Sequence, residues 1–173
     1  LDLLPRAADR ILSTAKPDTG AVAHMVTLLL KSEITDDAAD RCLQLLTARI
    51  RSGEITGDAL LNVRTQLNAS LLSAMKQDNS RPSTLSAVEL AASLKADDAI
   101  RAAHEIFSQT TDEGVQLRLV NALVTAGEGS AVSLAELILT SSNSTDVRRK
   151  AIQTVGRVGT KPATEFLLRQ LPQ

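Results

Sequence analysis

Few residues of this chain are able to do chemistry. Its 173 residues include two histidines, His24 and His104, and one cysteine, Cys42. The histidines are too few for a histidine-rich metal site, and the chain has neither an HExxH motif nor a His pair at i, i+4. Glu105 follows His104, but adjacent helical residues point about 100° apart and cannot close on one ion. His104 is therefore read as a partly exposed helical histidine. His24 stands beside Met25, yet helical neighbours cannot ligate opposite faces of one haem, so His24 is read as packing at a helix start. Cys42 alone excludes an internal disulfide, a CxxC pair, a covalent c-type haem site and a cysteine zinc site. It falls on an apolar stripe, where a thiol behaves as a small hydrophobe. The paired acids Asp36-Asp37 and Asp97-Asp98 each precede an expected helix. Carboxylates there accept the unpaired first-turn N–H groups, a structural duty worth about 0.5–2 kcal/mol. No glycine string of the phosphate-cradling kind is present, and the two sequons, Asn68-Ala69-Ser70 and Asn143-Ser144-Thr145, are short enough to arise by chance. No catalytic, metal-ligating or cofactor-binding residue is assigned, and no cofactor is expected.

Composition describes the elements that must carry these residues. Of 75 apolar residues, 27 are Leu and 24 are Ala, only Phe107 and Phe166 are aromatic, and Tyr and Trp are absent. Leu and Ala are the strongest apolar helix formers, and the residues that prefer strands are scarce. The expectation is an all-α chain. Ala39, Cys42, Leu43, Leu46 and Ile50 share one helical stripe, and Leu60, Val63, Leu67, Leu71 and Met75 repeat it one helix later. Pro82 and Pro162 mark helix starts, and Gly20, Gly53, Gly127 and Gly159 mark stops. Asp36, Asp97 and Ser144 are N-cap candidates, and Thr110 with Glu113 has capping-box spacing. The reading is ten helices near 2–14, 21–31, 37–52, 58–77, 83–95, 98–109, 112–126, 130–141, 145–158 and 161–171. Short connections make consecutive helices antiparallel neighbours.

Sliding the C-terminal part against itself gives a match at an offset of 32 residues. Val115, Leu119, Val120, Leu123, Ala126, Gly127, Ala131, Leu134 and Leu139 fall on Val147, Ala151, Ile152, Val155, Val158, Gly159, Ala163, Phe166 and Leu171. One step back, Val88, Ala91, Leu94, Ala99, Ala102, Ile106 and Phe107 enter the same register. Residues 82–173 thus read as three two-helix units of about 32 residues, and residues 1–80 as irregular or capping helices, in one repeat domain. A two-helix unit cannot hide its apolar face alone, so stacking is obligatory.

Within the last unit, Asp146-Val147-Arg148 followed by Ala151, Val155 and Gly156 resembles the HEAT repeat. The resemblance implies an α-α superhelix, a HEAT-like solenoid of short antiparallel helices, with an Asp/Arg ladder between units. Gln116 and Thr84 stand where that ladder would want Arg, so it is incomplete. The stretch from Leu46 to Leu60, LTARIRSGEITGDAL, resembles the HEAT-like region of planctomycete-type multidomain proteins, which join a propeller dehydrogenase to a haem-binding module. Neither a propeller pattern nor a CxxCH motif is in this chain. The start at Leu1, without Met or a signal pattern, fits an excised segment or a processed product.

The functional expectation is a noncatalytic scaffold or protein-binding module, with partners that are proteins or neighbouring domains of the same chain. If the second helix of each unit lines the binding side, the columns Arg101/Ser133/Glu165 and His104/Glu136/Leu168 carry the contacts. Two alternatives stay open: a structural helical section of a multidomain dehydrogenase, and sequence-independent DNA binding through Arg148, Arg149, Lys150, Arg157 and Lys161. Nucleic acid is disfavoured by a formal net charge of -1 and by mixed charge along the repeat columns. The longest uncharged apolar run, Ala21 to Leu30, is about half a bilayer span.

Overall fold

A computed structural model describes residues 3–14, 18–31, 35–78 and 81–170. Among them are ten α-helices and no strand: α1 (Leu3–Leu12), α2 (Thr19–Leu29), α3 (Asp36–Arg51), α4 (Gly57–Ala74), α5 (Pro82–Ser93), α6 (Asp97–Gln109), α7 (Glu113–Ala126), α8 (Ser130–Ser141), α9 (Thr145–Val155) and α10 (Lys161–Arg169). The all-helical reading holds, helix by helix. The contacts divide the chain into two compact units, residues 1–99 and 100–173.

Helix ends follow local chemistry. Pro82 and Pro162 sit in the first turns of α5 and α10, where a missing N–H costs little. Ser144 caps α9 by accepting from the Val147 amide. Asp112, 32 residues earlier, caps α7 by accepting from Gly114 and Val115. The expected capping box at Thr110 and Glu113 does not form, because Thr110 Oγ1 instead accepts from the Asp112 amide and holds the cap residue in place. Gly20 lies inside α2 and is not a stop. Three odd-numbered helices end alike. Gly53, Lys95 and Gly127 are left-handed, with φ of 78°, 56° and 86°. In each case the residue's own N–H and the next one close on two carbonyls of the last turn, as at Lys95→Ala92 and Ala96→Ala91. Lys95 stands 32 residues before Gly127, so the register extends to the helix ends.

In the first unit, α3 packs most extensively on α5 and α2 on α4, with α1 against α3. Like ends meet. Asp36 and Asp40, at the start of α3, receive Ser83 and Ser86 at the start of α5. Near the C-terminal ends, Arg49 of α3 reaches Asp9 of α1, and Ser70 of α4 donates to Thr27 of α2 at 3.1 Å. Alternate helices of this unit therefore run the same way. The interior holds Val22, Val26, Leu43, Leu46, Val63, Leu67 and Val88, each with essentially no exposed surface.

In the second unit, α7 packs on α8 and α9, α8 on α9, and α10 on α8 and α9. Leu119, Leu123, Ala131 and Leu139 are buried, as are the register partners Ala151, Val155 and Ala163 of the first three. Leu171, expected to match Leu139, lies outside the described residues. Phe166 is the bulkiest of the fully buried side chains.

Candidate functional site

The even-numbered helices of the second unit each bury one stripe and present another. In α6 the exposed residues include Arg101 and Glu105, in α8 Ser133 and Leu137, and in α10 Glu165, Leu168 and Arg169. The expected column Arg101/Ser133/Glu165 is exposed at all three levels. The second expected column is turned partly inward, since His104 and Glu136 are half-buried and only Leu168 is open. The fully exposed partner column is one residue on, Glu105/Leu137/Arg169. Periodicity finds a stripe but leaves its rotation undecided by one residue, about 100° of helix. The presence of Leu137 and Arg169 at equivalent positions was the available signal.

The half-buried column links neighbouring helices. His104 Nε2 lies 3.0 Å from Ser130 Oγ, joining α6 to the start of α8. Glu136 takes an ion pair from Arg169, joining α8 to α10. A histidine beside a serine could serve nucleophilic chemistry only with an orienting acid and a cleft; nothing described here supplies either. Both links hold one helix to the next.

The basic residues near the C-terminus are largely engaged with local acids. Arg149 and Lys150 both meet Asp146 of their own helix, at 2.5 and 2.6 Å. Those hydrogen bonds, from Lys150 first and then Arg149, hold the Asp146 carboxyl below its ordinary pKa. Asp146 is thus satisfied inside α9 and makes no rung to another helix, contrary to the ladder that the HEAT resemblance implies. Lys161 faces Glu165 at 3.7 Å, and Arg157 approaches Asn121 of α7 at 3.5 Å.

A denser polar joint lies in the first unit, where it was not expected. Asp36 does not cap its own helix. Its carboxylate accepts from Arg81 Nε at 2.8 Å, from the Ser83 hydroxyl and from the Ser83 amide at 3.4 Å, and it pairs ionically with the Arg81 guanidinium, whose Nη2 lies 2.6 Å away without a hydrogen-bonding geometry. The start of α5 is thereby capped from α3, and the positive ends of two helix dipoles converge on one carboxylate. Asp40 receives the Ser86 hydroxyl one turn on. Thr84 donates to the Asp78 carbonyl at 3.0 Å, so the buried hydroxyls at the start of α5 are all bonded. Cys42 is fully buried, and burial pushes its thiol from the ordinary 9.0 to about 11. It is a core residue.

On the even helices of this unit, Ala21, His24, Leu28 and Lys31 form an exposed stripe along α2. His24 faces water and does not pack at a helix start. Beside that stripe a cleft of about 470 Å³ opens between the C-terminal ends of α2 and α4, lined by Thr27, Leu30 and Lys31 opposite Ala69, Ser70, Ser73, Ala74 and Gln77. Hydroxyls, one amide and one ammonium can hydrogen-bond an extended chain or a side chain there, but they include no base poised on a nucleophile.

Among the described residues no group of three or more His, Cys, Asp or Glu is placed to hold a metal ion, and no helix is long and apolar enough to cross a membrane. No protein-family model, no curated protein and no solved structure matches the chain.

Proposed function

We propose that the chain is a noncatalytic α-solenoid module that binds protein, either a separate partner or neighbouring domains of its own chain, through the outward stripes of its even-numbered helices. The carrying observation is the packing order of the first unit, where alternate helices lie side by side with like ends together. The second unit adds a 32-residue recurrence of caps and buried positions. Such stacking leaves one row of helices free to vary its outward residues, and repeat proteins bind along rows of this kind. Arg101, Ser133 and Glu165 carry the row in the second unit, with His104 and Glu136 setting its spacing. Leu137 and Leu168, 54% and 61% exposed, add the apolar contacts that polar columns lack.

DNA binding draws little support from the same geometry. Asp146 and Glu165 neutralise Arg149, Lys150 and Lys161, whereas phosphate binding needs several uncompensated cations along one track. A helical section of a multidomain dehydrogenase would be this same module with its partners on the same chain, and no observed contact favours that version.

The test is quantitative affinity capture with the wild-type chain and with Ser133→Trp/Leu137→Arg, two exposed changes that leave the core intact. The expected result is a saturable set of bound proteins that the variant loses while its circular dichroism is unchanged. An identical set on both would refute the assignment of this face.

A further inference from the structure

The cleft between the C-terminal ends of α2 and α4 is a place of spare donors. Among its eight lining residues Lys31 is the single charged one, and none is acidic. Lys31 makes no ion pair, and the Ser73 hydroxyl no hydrogen bond, with any described residue. Gln77 has a fixed orientation: its Oε1 accepts from Arg81 Nη1 at 2.6 Å, and a guanidinium can only donate, so the amide N–H bonds are what remains for a ligand. Backbone acceptors nearby are already used. In the last turn of α2 the carbonyls of Val26, Leu28 and Leu29 take the Leu30 amide, the Lys31 amide and the Thr35 hydroxyl. Those of Leu71, Ser73 and Ala74 in α4 take the amides of Met75, Lys76 and Gln77. A helix C-terminus repels an anion through its unsatisfied carbonyls, and these six are bonded.

We infer that the cleft binds a carboxylate of an extended protein segment, either its chain end or an Asp or Glu side chain, with Lys31 Nζ, the Ser73 hydroxyl and the Gln77 amide donating to it. A single cation matches the one charge of a carboxylate, whereas a phosphate group, nearly dianionic at neutral pH, calls for more. The rest of the cleft suits the chain that carries the carboxylate. Its volume of about 470 Å³ is that of a ligand pocket and exceeds what one carboxylate fills. Ser70 donates to Thr27 at 3.1 Å, which leaves the pair a free O–H and free lone pairs, the complement of the C=O and N–H of a peptide group. Leu30, Ala69 and Ala74 supply an apolar wall for short side chains. The inference deepens the protein-binding reading and rests on it for the source of the carboxylate.

The test titrates the full isotope-labelled chain with N-acetyl-trialanine and follows backbone amide shifts by NMR. Saturable shifts are expected at Lys31, Ser73 and Gln77. The same peptide with its C-terminus amidated should bind about tenfold more weakly or worse, and so should the free acid to Lys31→Met. Ser73→Ala should weaken binding several-fold. Both residues are exposed, so circular dichroism should not change. Lys76→Met removes the same charge from an exposed neighbour outside the cleft lining and should leave the affinity as it is. Equal binding of acid and amide, no saturable shift at millimolar peptide, or equal weakening by Lys76→Met and Lys31→Met would overturn the carboxylate site. Propionate binding as tightly as the peptide would overturn the protein source. The Ser133→Trp/Leu137→Arg capture reads the second unit alone, so a failure here is distinguishable from a failure of the protein-binding reading.

Discussion

Replacing Asp36 by Asn removes one negative charge from the joint between α3 and α5 and tests how that joint is held. Asp36 and Arg81 have side chains only 14% and 16% exposed. Arg81 would keep Gln77, whose Oε1 accepts at 2.6 Å, but would lose its counter-charge. Stranding one member of a buried pair costs about 3–5 kcal/mol, and the residual exposure places this case at the lower end. The Ser83 hydroxyl bond is weakened, and the first turns of α3 and α5 lose a carboxylate worth about 0.3–1 kcal/mol at each dipole. The expected loss is about 3 kcal/mol, read as a lowered urea midpoint with an unchanged slope. Arg81→Met should cost less, about 1–2 kcal/mol, because the carboxylate keeps Ser83 and both helix ends. The double variant should then lose clearly less than the sum, since neither charge remains to be stranded. A loss below about 0.5 kcal/mol for Asp36→Asn, or strict additivity in the double variant, would show that the carboxylate does not join the helices.

Leu123 is 1% exposed and register-matched to fully buried Val155. Leu123→Ala should cost about 2–5 kcal/mol in denaturant titration, and Arg157→Ala should cost almost nothing; equal small losses would contradict the register. Lys95 holds the left-handed φ that Gly127 holds 32 residues later, so Lys95→Gly should raise stability by about 1 kcal/mol. A lowered melting temperature would show that the lysine side chain does more than occupy the cap. Because burial lifts the Cys42 thiol to about 11, its thiolate fraction near pH 8 is about a hundredfold below that of an ordinary thiol. Iodoacetamide should therefore label the folded protein far more slowly than the urea-unfolded one. The sign is that of a raised pKa: the stability held by the neutral thiol is complete below about pH 9 and is lost as the pH climbs through about 11. Equal labelling rates would refute the burial.

The helices were legible because the signals that make them are local. Leu and Ala at helical spacing, Pro82 and Pro162 in first turns, and Gly53 and Gly127 at left-handed ends each act within a few residues. What escaped the sequence acts over distance or against type. Asp36 is a sound cap candidate for its own helix, and nothing local says that its carboxylate turns to Arg81 and Ser83, 45 and 47 residues on. Lys95 takes a glycine's conformation, so a search for glycine stops passes over it. The column Arg101/Ser133/Glu165 was readable from spacing, but the choice between His104/Glu136/Leu168 and Glu105/Leu137/Arg169 depends on which side each helix turns to its neighbours. That rotation is decided by packing, through the link from His104 to Ser130 and the pair of Glu136 with Arg169.

The pairing of charges bears on the kind of recognition that the proposed protein-binding surface would perform. Asp146 answers Arg149 and Lys150, Glu165 faces Lys161, and Asp9 and Glu54 share Arg49, in a chain whose formal net charge is -1. Under the proposed role, local pairing and a near-zero net charge leave little long-range field to steer a partner. Under the proposed protein-binding role, affinity would come from short-range contacts, with the exposed Leu137 and Leu168 as apolar anchors and Ser133 and Glu165 fixing register by hydrogen bonds. A partner held in that way dissociates with nearly the same constant at 50 and at 500 mM salt, in contrast to the steep salt dependence of a phosphate-binding protein. A dissociation constant that weakens by orders of magnitude across that range would mean that the paired cations open on binding, and the neutral-surface argument would then fail.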